Sequence, residues 1–287
     1  MANCFFVSDL HGQRDRYRKL FRLIVAESPA AVFLGGDLLP SGVRQATAID
    51  SGHRDFVAEV LIADFKRIRE ELGDYYPEVF LILGNDDSRR SEAAILDGAA
   101  QKLWKYMHNH RAEFGEYQVY GYSYVPPSPF QLKDWERYDV SRFVDPGSVS
   151  PEEGYRTVPT SEREIKFATI QEDLEKLAAA DDLHQSIWLF HTPPYNTKLD
   201  RAPLDGKMVD HAPLDVHVGS IAVRRFIEEQ QPLVTLHGHV HESAQLTGGW
   251  RDRIGRTQLF SAAHHGSELA LVRFDPRDLE HAKRQLV

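Results

Sequence analysis

The chain has 287 residues, 42% hydrophobic, 27% charged and 10% aromatic, a composition that excludes a disordered polymer and allows a large core in one or two domains. With 43 acidic against 34 basic residues, the net charge is −9 at pH 7. That counts against a nucleic-acid partner, because non-specific binding rests on Lys and Arg neutralising phosphates. The N-terminus lacks a basic segment followed by a long apolar stretch, and no apolar run approaches the roughly 20 residues needed to span a bilayer. The single cysteine, Cys4, cannot form an internal disulfide and is expected to be a small buried hydrophobe. The expected location is cytoplasmic, with no membrane association.

In chain order, the apolar run 3–8 predicts a first buried strand that stops at Ser8-Asp9-Leu10-His11-Gly12. Residues 13–27 place Tyr17, Leu20, Phe21 and Ile24 on one helical face. The run 31–35 predicts a second strand, ending at Gly35-Gly36-Asp37. A helix over 54–72 follows, with Phe56, Val60, Leu61, Phe65, Ile68 and, less closely aligned, Ala63 near one face. A third strand, 78–83, runs into Gly84-Asn85-Asp86-Asp87, and another helix begins near Ser91. Residues 114–125 alternate aromatic and polar groups and read as an antiparallel strand. Residues 126–160 are rich in proline and charge without periodicity, and a helix at about 161–180 follows. The whole stretch 126–182 reads as an insertion or lid-like segment within a single domain spanning 1–287. Further on, strands at 186–190 and 233–237 flank a helix at 219–230 carrying Ile221, Val223 and Ile227. Two strands within 257–275 surround Ala263-His264-His265-Gly266. Alternating strand and helix argues for an α/β fold with a largely parallel core, in which ligands gather at the carboxyl ends of strands.

Five of the strand ends deliver side chains able to bind metal. Asp9 and His11, two residues apart, can chelate one ion from one loop; by itself the motif reads equally as a turn and helix cap. Asp37 follows two glycines that permit a tight turn and close ligand approach. Asn85 offers an amide oxygen, with Asp86 and Asp87 as further carboxylates or as an Asx-type turn. His191 ends a strand and is followed by Pro193 and Pro194, which hold it rigidly. His237, His239 and His241 put three imidazoles in five residues. Residues two apart in an extended segment point the same way, so His239 and His241 can converge.

The blocks together resemble the calcineurin-like metallophosphoesterase superfamily, whose signature runs D-x-H, G-D, G-N-x-D/E, a strand-terminal His, then G-H-x-H. All five occur here in that order between residues 9 and 241. The stretches from His191 to Tyr195 and from His239 to Ser243 look most like bacterial and archaeal phosphoesterases related to cyclic-nucleotide phosphodiesterases. The resemblance implies a four-layer α-β-β-α sandwich of two mixed sheets flanked by helices, with a binuclear metal centre at strand carboxyl ends. It assigns Asp9, His11 and His241 to one ion, Asn85, His191 and His239 to the other, and Asp37 to both, beside a bridging hydroxide that attacks phosphorus. His237 lies outside the pattern and is expected to support the shell. Imidazole, carboxylate and amide donors suit two divalent ions of Mn, Fe, Zn or Ni better than Ca²⁺.

One position departs from the family pattern. Where the phosphoprotein-phosphatase branch has a His that protonates the leaving group, this chain has Asp86. A carboxylate beside two cations stays ionised, so His217, His264 and His265 become the alternative candidates for proton transfer. Asp87 is expected to hold its loop by hydrogen bonds. The activity expected is phosphodiester hydrolysis on a small or nucleotide-like phosphate ester. A phosphomonoesterase, a nuclease of the same superfamily and a scaffold that has lost catalysis are the competing readings. The acidity weighs against the nuclease, and the full set of ligand positions weighs against the scaffold.

Overall fold

All five apolar runs form strands in the computed structural model, which describes residues 3–41, 55–178 and 182–287. They are β1 (Cys4–Val7), β2 (Ala31–Gly35), β3 (Glu78–Ile82), β7 (Ser186–Phe190) and β10 (Val234–His237). One six-stranded sheet adds β4 (Lys105–Tyr106), β13 (Ala270–Asp275) and β14 (Asp278–Leu286), in the order β14-β13-β1-β2-β3-β4. The other adds β5 (His110–Phe114), β6 (Tyr117–Tyr122), β11 (Arg251–Ile254) and β12 (Thr257–Ser261), in the order β11-β12-β10-β7-β6-β5, while β8 (Met208–Val209) and β9 (Ala212–Pro213) pair with each other apart from both sheets. Strands β1 to β4 run parallel, as do β6, β7, β10 and β12. Antiparallel strands occupy the flanks, so both sheets are mixed.

Alternation along the strands builds four layers. Phe6, Phe33, Phe80, Leu189, Leu236 and Phe260 form the core between the sheets, with the rings of Phe33 and Phe80 stacked at 5.2 Å. Their neighbours Phe5, Val32, Leu34 and Leu81 face the other way, onto α1 (Arg14–Glu27) and α2 (Ala63–Leu72). Trp188 and Phe190 face α6 (Ile221–Gln230) in the same manner. A strand buried on both faces reads as a continuous apolar run, which is why these strands are visible in the sequence. Cys4 lies in the inter-sheet core, where burial, with Asp275 nearby, pushes its thiol up to about 12.

Several boundaries differ from the sequence reading. Residues 114–125 are not one strand: Phe114 ends β5, Gly115 turns with φ 57°, and β6 starts at Tyr117. β6 is antiparallel to β5 but parallel to β7. The helix expected over 54–72 opens as a π-helical stretch, Val57–Ile62, before α2; its residue 54 lies outside the described residues. The helix expected at 161–180 is two: α4 (Glu162–Phe167) and α5 (Ile170–Leu177), separated by Ala168 and Thr169 in extended conformation. Residues 179–180 are outside the described ones. Helix α3 (Glu92–Ala100) begins next to Ser91. The two strands around residues 263–266 belong to different sheets, so that segment crosses from one sheet to the other.

Candidate metal centre

The turns after β1, β2, β3, β7 and β10 all lie at the carboxyl ends of parallel strands, and hydrogen bonds lace them together. The β1 turn runs beside the β2 turn, with Asp9 N donating to Gly36 O at 2.9 Å and His11 N to Asp37 O at 2.8 Å. Asp86 N donates to Asp37 Oδ1 at 2.8 Å, and His239 N to Asp9 Oδ1 at 3.0 Å. Gly238 N donates to His191 O at 2.9 Å, joining the β7 and β10 turns. Loops from both sheets therefore meet at one point.

Two groups of donors form there. Ligand atoms of Asp9, His11, Asp37 and His241 all lie within 4.8 Å of one another. On the other side of Asp37, His191 Nε2 lies 3.3 Å from Asp37 Oδ2 and 3.0 Å from Asn85 Oδ1. Asp37 thus stands between the groups, since its Oδ2 is also 3.9 Å from His11 Nε2. The ring of His239 lies 5.3 Å from that of His191.

The backbone at these donors is unusual. Asp9, His11, Asp37 and His239 have φ of 55°, 47°, 51° and 72°, a region that side-chain-bearing residues visit rarely and at an energetic cost, typically at functional sites. Two glycines make the close approach possible. A Cβ on Gly36, whose φ is 94°, would stand 2.6 Å from His191 Nδ1, and one on Gly84 would stand 2.6 Å from His191 Nε2.

Hydrogen bonding also fixes the tautomers. His191 Nδ1 lies 2.9 Å from the carbonyl of Gly35, which can only accept, so Nδ1 keeps its proton and Nε2 is the nitrogen turned to Asn85 and Asp37 and left for a cation. His11 repeats the pattern with Asp86 in the place of the carbonyl. Burial lowers both imidazoles, but carboxylates outweigh it and raise each to about 9: Asp86, Asp37 and Asp9 for His11, and Asp37 and Asp9 for His191. Burial opposes ionisation of Asp37, yet His191 and His11 hold it at about 2. Burial works against Asp9 as well, and His241, His191 and His11 keep it far below the usual carboxylate range.

The donor set fits bound cations. Asp9 and Asp37 are buried, and among the described residues no Lys or Arg pairs with either side-chain carboxylate. Two imidazole nitrogens, His11 Nε2 and His241 Nε2, face each other at 3.2 Å. Buried carboxylates beside convergent imidazole lone pairs are relieved by a positive charge placed between them.

Residues 3–243 match the calcineurin-like phosphoesterase family. The chain belongs to that family. It is a metal-dependent phosphoesterase, a hydrolase of phosphoric ester bonds. Among curated proteins, none matches the sequence significantly. Two solved structures share the fold. The TT1561 protein of Thermus thermophilus is 16% identical, with a TM-score of 0.53 over 99% of this chain and 98% of that one. A dimetal phosphatase from Danio rerio is 14% identical, with a TM-score of 0.50 over 94% of this chain and 91% of that one.

The other residues singled out by sequence take varied places. His237 uses both ring nitrogens internally, Nδ1 on Thr192 O at 2.9 Å and Nε2 on Thr235 Oγ1 at 2.7 Å, and burial pushes it down to about 3. Buried Asp87 accepts from the backbone of Leu39, Gly84 and Leu38 at 2.7, 2.9 and 3.1 Å, and burial with Asp37 raises it to about 7. His217 donates from Nδ1 to buried Asp200 at 2.8 Å. His264 pairs with Glu268 at 3.1 Å, and His265 lies 3.5 Å from Glu242, the residue after His241. Among the described contacts, none of these three histidines touches the seven donors.

Arg16 escaped the sequence reading. It is buried, and its guanidinium donates to Asp9 O and to Gly266 O, tying the β1 turn to the segment that bears His264 and His265. The signal was present: Arg16 sits four residues before Leu20 on the apolar stripe of α1, where a charge has to find buried acceptors.

Proposed function

We propose that the chain hydrolyses a small phosphodiester at a two-ion centre. Asp9, His11 and His241 would hold one ion, Asn85, His191 and His239 the other, and Asp37 both. The observation that supports this reading most is the position of Asp37, whose Oδ2 faces His11 Nε2 on one side and His191 Nε2 on the other. Two divalent cations bound there would supply a water made nucleophilic at neutral pH and positive charge for the phosphoryl oxygens. Imidazole, carboxylate and amide ligands suit Mn²⁺, Fe, Zn²⁺ or Ni²⁺.

The chain's own part is to hold donors in place and to leave one side open. His11, His241 and Asp86 keep side-chain exposures of 21%, 27% and 30%, whereas His191 is fully buried. Substrate would therefore enter on the His11 and His241 side. The preference for a diester rests on Asp86 in place of the proton-donating His of the phosphoprotein-phosphatase branch, and on the His191 and His239 blocks. Tyr155, Phe130 and Phe143 in the 126–182 segment are exposed and available to a base or apolar ester group, whereas Trp135 and Tyr138 are buried in packing.

Assays with bis-aryl and mono-aryl phosphates in added Mn²⁺ test the substrate class. Higher kcat/KM on the bis-aryl ester is expected. Turnover of the monoester alone would replace this reading with a phosphomonoesterase.

A further inference from the structure

We propose that Asp86 is a positioning residue for His11, so that the place of the phosphoprotein-phosphatase branch's proton donor serves metal binding here. The proposal rests on the two-ion reading above.

His11 presents its two nitrogens to different surroundings. Nε2 lies among the cluster donors, 3.2 Å from His241 Nε2, whereas Nδ1 lies 3.2 Å from Asp86 Oδ2. A carboxylate oxygen accepts from an N–H, so the contact keeps a proton on Nδ1 and leaves Nε2 as the nitrogen turned to the other donors. Such a carboxylate also makes the imidazole a better electron donor toward a cation, as carboxylate–histidine–metal triads do.

Asp86 is held for this task from three directions. Its backbone N–H donates to Asp37 Oδ1 at 2.8 Å, which ties it to the residue shared by both donor groups. Its Oδ1 accepts from Ser41 Oγ at 3.0 Å, while its Oδ2 receives the imidazole. Each carboxylate oxygen thus has a fixed partner, which sets the orientation of the group toward His11. The same segment that supplies Asn85 thereby orients a donor on the opposite side of Asp37. His191 obtains the equivalent orientation from the backbone carbonyl of Gly35. Asp86 thus gives His11, on the more exposed side of the centre, the support that main chain gives His191.

The test is a Mn²⁺ titration of metal-free wild type, Asp86→Ala and Asp86→Asn by calorimetry, followed by leaving-group dependence at saturating Mn²⁺. Wild type is expected to bind two ions. Asp86→Ala should weaken one of the two sites by about 10- to 100-fold and leave the other within about twofold. Asp86→Asn keeps an acceptor of the same shape and should lose less, with a melting temperature near that of metal-free wild type. For both variants, any fall in kcat should be equal across aryl esters, from nitrophenyl to phenyl. Unchanged affinity at both sites in Asp86→Ala overturns the role, as does a loss that grows as the leaving group becomes more basic, which would make Asp86 the proton donor. A wild-type protein that binds no Mn²⁺ overturns instead the two-ion reading beneath it.

Discussion

His11 and His191 each give one nitrogen to the protein and keep the other for the cluster. In the metal-free chain both rise to about 9, because nearby carboxylates outweigh burial. Below that pH a cation must displace protons to reach the lone pairs. Metal affinity should therefore increase from pH 6 towards 9 and then level, and binding at neutral pH should release protons. Calorimetric Mn²⁺ titrations in buffers of differing ionisation heat measure both; an affinity independent of pH over that range would mean that these imidazoles do not bind metal. At this scale the sequence exposed identities but not orientations. The seven candidate donors were legible because they lie just past apolar runs, in a fixed order. The partner of Asp86 was not, since it lies 75 positions away. The left-handed backbone at Asp9, His11, Asp37 and His239 was equally invisible, because none is a glycine.

Helix α6 shows how an element can be fastened by a residue remote in sequence. Asp139 accepts from Ser220 Oγ, from Ile221 N at 2.7 Å and from Ala222 N at 3.3 Å, while Ser220 Oγ accepts from Val223 N at 3.0 Å. This carboxylate at a helix N-terminus anchors the 126–182 segment beside the loop that follows His191. Asp139→Ala should cost about 1–2 kcal/mol in urea unfolding, and an unchanged midpoint would show that the anchor contributes nothing. Elements buried on both faces were readable as apolar runs, whereas edge strands were not. β11 and β14 are mostly charged and polar, with half their residues or more facing solvent. The division between α4 and α5 did have a sign, Thr169 followed by Glu172, because the Thr169 hydroxyl caps Glu172 N. A periodicity that continues across the break hides it.

At the scale of the whole molecule, the donor cluster joins the two sheets. Asp9, His11, Asp37 and Asn85 come from turns of one sheet, and His191, His239 and His241 from turns of the other. Cations bound there would clamp the sandwich at its open end, where two buried carboxylates otherwise meet. An ion present at 100 times its dissociation constant adds about 2.7 kcal/mol of stability. Chelation should accordingly lower the melting temperature by about 4–5 °C for each ion removed, and scanning calorimetry with and without chelator reads the shift. An identical melting temperature in both would place the ions outside the fold's supports. The shared role of Asp37 is tested most directly by elemental analysis of Asp37→Ala beside the wild type, both loaded with Mn²⁺ and freed of excess. Two ions per wild-type chain and fewer than one in the variant are expected; a variant that retained two ions would contradict a centre built on Asp37.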